Sequence, residues 1–232
     1  MTNQESQSSY LPLLYEIRRR LLIIIIIFFT SFAAGIFFYE RIIKIFLVLL
    51  NLQGAKIVFS SPFEYMNLAL NCGLIVAIIV TLPFVLYQAV KFIKPALTEK
   101  EYKIFNKNIP FSIILFIFGF FVGFETMKYV GFLSYQTAQH LGIESFLNVS
   151  NLLAVVLLTS TLMGLAFQFP LVLIFLIKTN IVKREVFVSK RPLAYIISII
   201  FASLMPPTDI LSLILLTLPL VFLFEVVLLL TK

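Results

Sequence analysis

The sequence predicts an all-α integral membrane protein with six transmembrane helices, of which the last two are short. Hydrophobic residues make up 61% of the chain and charged residues 12%, and the mean hydropathy is +1.06. Soluble domains are about 45–50% apolar and about 25% charged. Apolar runs of membrane-spanning length follow one another, and the basic residues concentrate between them. Residues 1–232 are therefore predicted to form a single transmembrane domain.

The predicted spans are residues 21–39, 65–90, 109–132, 152–177, 193–205 and 210–231, after a cytoplasmic N-terminus of residues 1–20. The first run carries no charge and is about 28 Å long as a helix, close to the roughly 30 Å hydrocarbon core of a bilayer. Arg18, Arg19 and Arg20 precede it, but no small-residue cleavage site closes it. We therefore interpret it as a retained helix and not as a signal peptide.

The next three spans are long enough to cross a bilayer. Pro62 precedes the second, and the third extends past Glu125 and Lys128. Between the first two spans, the mostly apolar segment Arg41 to Gln53 fits either a helix at the outer membrane interface or a continuation of the first span.

The last two spans are less regular. The apolar part of the fifth, Leu193 to Leu204, is about 18 Å long as a helix, which is too short for an unperturbed bilayer. The sixth is long enough, although Pro219 and Glu225 interrupt it. If the fifth segment turned back inside the membrane, the C-terminus would lie on the opposite side.

The basic residues predict the orientation. Fourteen of the eighteen lie on one side of the six-span arrangement: Arg18 to Arg20, Lys91, Lys94, Lys100, Lys103, Lys107, Lys178, Lys183, Arg184, Lys190, Arg191 and Lys232. Loops rich in lysine and arginine face the cytoplasm, so both termini are predicted to be cytoplasmic.

Several function classes lack their usual signals in the sequence. The chain has one cysteine, Cys72, one histidine, His140, and one aspartate, Asp209. A disulfide framework, a metal site and a catalytic set are therefore not expected, and neither an enzyme nor a cofactor is predicted. Basic residues in short loops act as topology signals and do not indicate nucleic-acid binding. A proton-coupled small-molecule transporter, for which no repeated halves are found, and a structural membrane subunit remain as alternatives.

A series of motifs resembles the TatC family, the multispanning subunit of the twin-arginine protein translocase. The segment Leu14 to Leu21, LYEIRRRL, resembles the Leu-x-Glu-Leu-Arg-x-Arg-Leu signature before the first span of that family. The other matching segments follow in the family's order: Ser61 to Glu64, Pro83 to Gln88, Phe92 to Leu97, Gly164 to Pro170, Met205 to Asp209, and Pro219 to Glu225. The resemblance covers nearly all of the chain after residue 10.

The sequence departs from the family pattern at four points. Tyr15 and its neighbours supply no histidine at the start of the signature, Gln168 replaces a frequent glutamate, and Met205 replaces a usual threonine. In the first cytoplasmic loop Glu101 keeps a carboxylate, but Tyr102 follows it where the family has an arginine. These departures affect individual residue roles more than the overall function.

The resemblance implies a function and a set of partners. It implies six spans with a short last pair, and a signal-peptide receptor that exports folded proteins using the proton-motive force. The implied partners are single-span subunits of the TatA and TatB type, twin-arginine signal peptides of folded cargo, the lipid bilayer and further copies in a multimeric receptor complex. The implied location is a bacterial cytoplasmic membrane, with a plastid thylakoid membrane as the alternative.

Two carboxylates are the main candidates for recognising a twin-arginine peptide. A guanidinium presents a rigid fork of donors that a carboxylate accepts bidentately. Glu16 precedes the first span and Glu101 precedes the third, so both are predicted at the cytoplasmic face. The full candidate set for signal-peptide binding is Glu16, Arg18, Arg20, Lys94, Glu99 and Glu101, with Glu99 the more dispensable carboxylate. In the alternative, each glutamate pairs locally with a basic residue, for about 0–1 kcal/mol.

A second candidate set contains residues in or near the membrane that are predicted to contact a partner helix or to supply a polar group inside the membrane. It consists of Pro62, Gln168, Met205, Asp209 and Glu225. Gln168 is about 14 Å from the cytoplasmic end of its span, near the bilayer midplane. It is predicted either to contact a partner helix or to form a hydrogen bond inside the bundle. Glu225 is interpreted as an internal structural partner and not as a proton carrier.

Overall fold

The computed structural model describes residues 2–50, 56–58, 62–93, 99–140, 146–179 and 181–231. Within these residues the helices are α1 (Thr2–Phe37), α2 (Tyr39–Leu50), α3 (Pro62–Ile93), α4 (Glu99–His140), α5 (Val149–Ala166), α6 (Phe169–Lys178), α7 (Arg184–Ser189), α8 (Arg191–Ser203) and α9 (Ile210–Leu230). Side chains are described from Tyr15 onward, except in several connections between helices and at some helical and strand residues next to them. The described part of the molecule is therefore a bundle made almost wholly of helix.

Five described helical segments are long and apolar enough to cross a membrane. They are Tyr15–Phe37, Phe63–Ala89, Pro110–Ser134, Asn151–Lys178 and Ile210–Leu230, and the shorter apolar helix Arg191–Ser203 corresponds to the predicted fifth span. At 13 residues, α8 is about 20 Å long, shorter than the hydrocarbon core. Five of the predicted spans thus have the length to cross a bilayer, and the six-span count remains a prediction.

Glycines allow the helices to approach closely at two crossings. A Cβ atom on Gly35 of α1 would lie 2.8 Å from Cα of Gly73 in α3. A Cβ atom on Gly123 of α4 would lie 2.8 Å from Cα of Ser160 in α5. Without water to drive apolar side chains together, membrane helices associate through close packing at small residues. These two crossings therefore hold α1 against α3 and α4 against α5.

The main core lies between α4, α5, α8 and α9. Met163, Phe167, Met205 and Leu216 are each at most 1% exposed. In contrast, α1 contributes little buried surface: only 6% of its most apolar stretch is buried, and side chains such as Phe29 are largely exposed. Apolar side chains that point away from the bundle suit a helix that faces lipid.

The predicted fourth span is not one continuous helix. Residues 152–177 are divided between α5 and α6, with a turn at Phe167 and Gln168. Pro170 lies in the first turn of α6, where a missing N–H is tolerated. In an unbroken helix Pro170 would fail to donate to the Ala166 carbonyl, so the interruption follows from the proline. The stretch Asn151–Lys178 is still long and apolar enough to be one membrane span, and the turn inside it is a feature that the prediction did not include.

The connections between α1 and α3 and between α4 and α5 contain structure that the sequence predicted incompletely. After α1 the chain turns at Phe38 and starts the separate helix α2, whose Ile43, Phe46 and Leu47 pack against the core. The segment Arg41 to Gln53 is thus a distinct helix as far as Leu50, and residues 51–53 lie outside the described part. Lys56–Val58 (β1) pairs in parallel with Phe146–Asn148 (β2), which the all-α prediction missed.

The orientation is tested by cysteine labelling. Because fourteen of the eighteen basic residues mark one side, cysteines placed at Asn148 or Thr208 should react from outside the cell. Cysteines at Thr98 or Ser189 should react only after permeabilisation. Labelling is measured with a membrane-impermeant maleimide, and reaction of Ser189→Cys from outside would contradict the six-span arrangement.

Candidate functional site

One end of the bundle carries the predicted cytoplasmic residues, and we call it the basic end. There, Glu16 and Arg20 lie one turn apart on α1. Arg20 donates to Glu16 Oε1 from Nε at 3.1 Å and from Nη2 at 2.5 Å. Arg20 Nη1 donates to the side-chain Oε1 of Gln88 at 2.7 Å and to the Gln88 carbonyl oxygen at 3.3 Å. The signature arginine therefore connects α1 to the end of α3.

This arrangement fixes the position of the Glu16 carboxylate. The Arg20 side chain is 15% exposed, whereas the Glu16 side chain is 48% exposed. Both Arg20 donors use the same oxygen, and among the described residues no partner is found for Glu16 Oε2. Glu16 thus presents one carboxylate oxygen to solvent while the other is held. Arg18, the other predicted arginine, is exposed on the same helix.

The local pair by itself contributes little stability. An ion pair four residues apart on a helix surface contributes about 0.3–0.5 kcal/mol. The bonds from Arg20 to Gln88 add a contact between residues 68 positions apart. The combined network positions the end of α1 more than it stabilises the fold.

The rest of the first candidate set falls outside the described part of the structure. Lys94 lies in the undescribed connection 94–98, and the side chains of Glu99 and Glu101 are not described. The same holds for the side chain of Pro62, which belongs to the second candidate set. The backbone of Glu99 and Glu101 belongs to the first turn of α4, where negative side chains are favoured by the helix dipole. The approach of Glu101 to Glu16 therefore stays a prediction.

Gln168 is buried between α4 and α5. It is 7% exposed, and the Ser112 hydroxyl donates to its Oε1 at 2.6 Å. Its Nε2 donates to the Ser112 carbonyl at 3.2 Å and to the Gly164 carbonyl at 3.3 Å. Both ends of the amide are therefore used inside the bundle. Of the two alternatives for Gln168, this geometry favours the bundle hydrogen bond.

A substitution separates the two alternatives for Gln168. Gln168→Leu removes the acceptor of the buried Ser112 hydroxyl and is expected to destabilise the detergent-solubilised protein by about 1–3 kcal/mol. Copurification of a small single-span subunit should be unchanged. The melting temperature and the amount of copurified subunit are measured on the same preparation. Weaker copurification at unchanged melting temperature would instead assign Gln168 to a partner helix.

Glu225 connects the last two helices at the basic end. Arg191 Nη2 lies 3.1 Å from Glu225 Oε2, and the Tyr195 hydroxyl donates to Glu225 Oε1 at 2.6 Å. One turn later, Arg184 of α7 donates to the Leu228 carbonyl from Nε at 3.2 Å and Nη2 at 2.9 Å. These bonds fit the structural role predicted for Glu225, because they fasten α7 and α8 to the end of α9.

The turn between α8 and α9 contains the remaining candidates. Met205 is buried at 1% exposure, and the Thr159 hydroxyl donates to the Pro206 carbonyl. Asp209 caps α9, since its Oδ2 accepts the Ser212 amide at 2.9 Å and its Oδ1 accepts the Ser212 hydroxyl at 2.5 Å. Burial alone would raise the pKa of Asp209, but the bonds from Ser212 outweigh it and lower the pKa from its usual value. Both residues thus order the turn.

The sequence did not predict two residues that form hydrogen bonds between helices at the basic end. Gln88 lies inside the motif Pro83 to Gln88, but nothing in the sequence pairs it with Arg20. Arg184 was counted only as a topology signal. No local pattern predicts either contact, because the partners are 68 and 44 residues apart. Among the described residues, no group of three or more His, Cys, Asp or Glu residues could hold a metal ion.

Comparisons with known proteins give a consistent result. The family model for TatC, Sec-independent protein translocase protein, matches residues 12–219. TatCy of Bacillus subtilis is 31% identical over 231 residues, which cover 98% of this chain and 90% of that protein. TatCd of the same organism is 31% identical over 180 residues, covering 76% of this chain and 72% of that protein.

The chain is also similar in structure to two solved crystal structures. A crystal structure of the twin arginine translocase receptor TatC in DDM superposes with a TM-score of 0.84 at 28% sequence identity, covering 95% of this chain and 99% of that chain. A second crystal structure of the same receptor gives a TM-score of 0.78 at the same identity. The similarity therefore extends through the whole helical bundle.

Proposed function

The chain belongs to the TatC family of Sec-independent protein translocase proteins, and from this premise we propose that it is the signal-peptide receptor of a twin-arginine translocase. As a family member it is a membrane-embedded translocase subunit and not an enzyme. The proposal adds that Glu16 and Glu101 each accept one arginine of the signal peptide at the cytoplasmic face.

The single observation that carries the proposal is the position of Glu16. Arg20 and Gln88 hold this residue at the junction of α1 and α3, while its second carboxylate oxygen is left for another donor among the described residues. A guanidinium that approaches from solvent would form a charge-assisted bond there, and such bonds are about twice as strong as neutral ones. Arg20 would keep its position when the peptide guanidinium binds, because it is also hydrogen-bonded to Gln88.

Glu101 is the proposed second acceptor. It lies in the first turn of α4, the helix that follows α3 directly, so its backbone is placed near the basic end. A peptide with two adjacent arginines would then bind two carboxylates on different helices. Because the arginines belong to one chain, binding of the first raises the effective concentration of the second.

The remaining parts of the proposal concern the membrane location, the partner subunits and the driving force of transport. We propose a bacterial cytoplasmic membrane, single-span partners of the TatA and TatB type, several copies in one receptor complex, and transport driven by the proton-motive force. Membership in a bacterial translocase family supports the location and the existence of a complex. No nucleotide-binding motif occurs in the sequence, as expected for a process driven by a proton gradient.

Photo-crosslinking tests the receptor function. A twin-arginine signal peptide with a photoreactive residue beside the arginine pair should crosslink to residues 1–20 and to the connection between α3 and α4. A twin-lysine peptide should crosslink weakly, since an ammonium cannot reproduce the guanidinium fork. Adducts are located by mass spectrometry. Crosslinks confined to the opposite end of the bundle, or equal yields for both peptides, would contradict the proposal.

A further inference from the structure

An apolar groove of about 740 Å³ runs between α6 and α8. Residues such as Leu173 and Leu176 form one wall, Ala194 and Ile197 form the other, and Phe224 of α9 lies at the base. The Gln168 amide at the margin is bonded inside the bundle, and the Ser198 hydroxyl donates to the Ala194 carbonyl at 2.9 Å. Lys190, at the basic end, is the remaining polar lining residue.

Three lysines lie on the segments that form the basic end of this groove, and one of them, Lys190, lines it. Lys190 directly precedes α8, Lys178 ends α6, and Lys183 directly precedes α7, and all three are exposed. Among the described residues none of them forms an ion pair. The two arginines of the same region are already engaged, Arg184 with the Leu228 carbonyl and Arg191 with Glu225. With the exposed Glu185 in the first turn of α7 included, the three lysines still leave a net positive charge at the groove mouth.

We propose that this groove binds an acyl chain of an anionic phospholipid, whose phosphate lies against Lys178, Lys183 and Lys190. The groove extends from Lys190 to Phe201, about 16 Å along α8 at 1.5 Å per residue. This length matches one leaflet of the hydrocarbon core, about 15 Å. The apolar lining suits the chain, and the lysines complement the charge of the head group.

The dimensions favour a lipid over a partner helix. A spanning helix is about 30 Å long, about twice the length of the groove along α8, so it would extend well beyond the apolar lining. A methylene group is similar in size to a water molecule, about 30 Å³, so the groove has room for roughly 25 methylene groups. That number corresponds to one or two acyl chains.

Charge should determine which lipid binds. Attraction of an anionic lipid surface is about 1 kcal/mol per nearby lysine, which corresponds to about fivefold in affinity. Three lysines should therefore favour phosphatidylglycerol over phosphatidylcholine by about a hundredfold. Lys190→Gln should remove about fivefold of this preference, and the Lys178→Gln, Lys183→Gln, Lys190→Gln variant nearly all of it.

The test uses the fact that the chain contains no tryptophan. Ile197→Trp places a single indole in the groove, and Phe29→Trp places one on the exposed surface of α1. The full-length proteins are reconstituted in nanodiscs with brominated phosphatidylglycerol or brominated phosphatidylcholine, and quenching gives relative binding constants. We expect a strong preference for phosphatidylglycerol in the Ile197→Trp protein and none in the Phe29→Trp protein.

Control substitutions decide between this proposal and general charge effects. Lys91→Gln removes an exposed lysine near the end of α3, at the same basic end but outside the groove lining, and should leave the preference unchanged. Equal binding of the two lipids to the Ile197→Trp protein, or a preference that survives the triple lysine substitution, would overturn the proposal. Absence of quenching of the Ile197→Trp protein by both lipids would also overturn the proposal, because the groove would then hold no lipid.

Discussion

The Glu16→Gln, Glu101→Gln double variant is expected to lose measurable affinity for a twin-arginine signal peptide. Each single substitution keeps the shape of the side chain and removes one charge-assisted bond, which should cost about 1.5–3 kcal/mol, or about ten- to a hundredfold in affinity. The double variant should lose more than either single variant because the second arginine no longer binds at high effective concentration. Affinity is measured by fluorescence anisotropy with a labelled peptide.

Two controls accompany this experiment. Glu99→Gln changes a neighbouring carboxylate and should have much less effect. Gln88→Leu removes the side-chain anchor of Arg20 while leaving the Glu16 carboxylate intact, so peptide affinity should fall, but by less than in Glu16→Gln. If Gln88→Leu weakened binding as much as Glu16→Gln, Glu16 would act by holding α1 to α3 and not by accepting an arginine.

The second large effect concerns the crossing of α4 and α5. Gly123→Leu should destabilise the bundle by about 3 kcal/mol or more, because overpacking at a tight contact forces the backbone to move. A Cβ atom there would lie 2.8 Å from Cα of Ser160 and 3.0 Å from Cβ of Met163. The thermal midpoint in detergent, followed by gel filtration, measures the loss.

A glycine on the same helix supplies the control for this prediction. A Cβ atom on Gly131 would have Leu152 Cδ1 as its nearest neighbour at 4.0 Å, an ordinary contact. Gly131→Ala should therefore leave stability unchanged or raise it, since alanine is the better helix former by about 1 kcal/mol. Gly123→Ala should lower it. Equal effects of alanine at both positions would show that helix propensity and not close packing determines the result.

The helices could be predicted because their signal is local. An apolar run such as residues 21–39 determines a spanning helix without knowledge of its neighbours. The interruption at Phe167 and Gln168 was also signalled locally, by Pro170, but hydropathy averaged over the span concealed it. The pairing of β1 with β2 could not be predicted, because three residues are too few for a periodic pattern.

The candidate site was predictable in its residue types and not in its contacts. The signature identified Glu16 and Arg20, and the structure shows that they pair with each other. The bond from Arg20 to Gln88 joins residues far apart in sequence, so it depends on how α1 packs on α3. Likewise, Gln168 was recognised as a polar residue within the membrane, but its partner Ser112 became evident only from the packing of α4 on α5.

The central claim, that the carboxylates recognise arginine itself, is tested most directly by a thermodynamic cycle. Affinities of the wild-type, Glu16→Gln and Glu101→Gln proteins are measured for a twin-arginine and a twin-lysine peptide, beside the melting temperature of each protein. We expect the twin-lysine peptide to bind the wild type weakly, and each substitution to lower its affinity only slightly further. The large losses of affinity should occur with the twin-arginine peptide. Equal losses for both peptides, or full affinity in both variants, would contradict the claim.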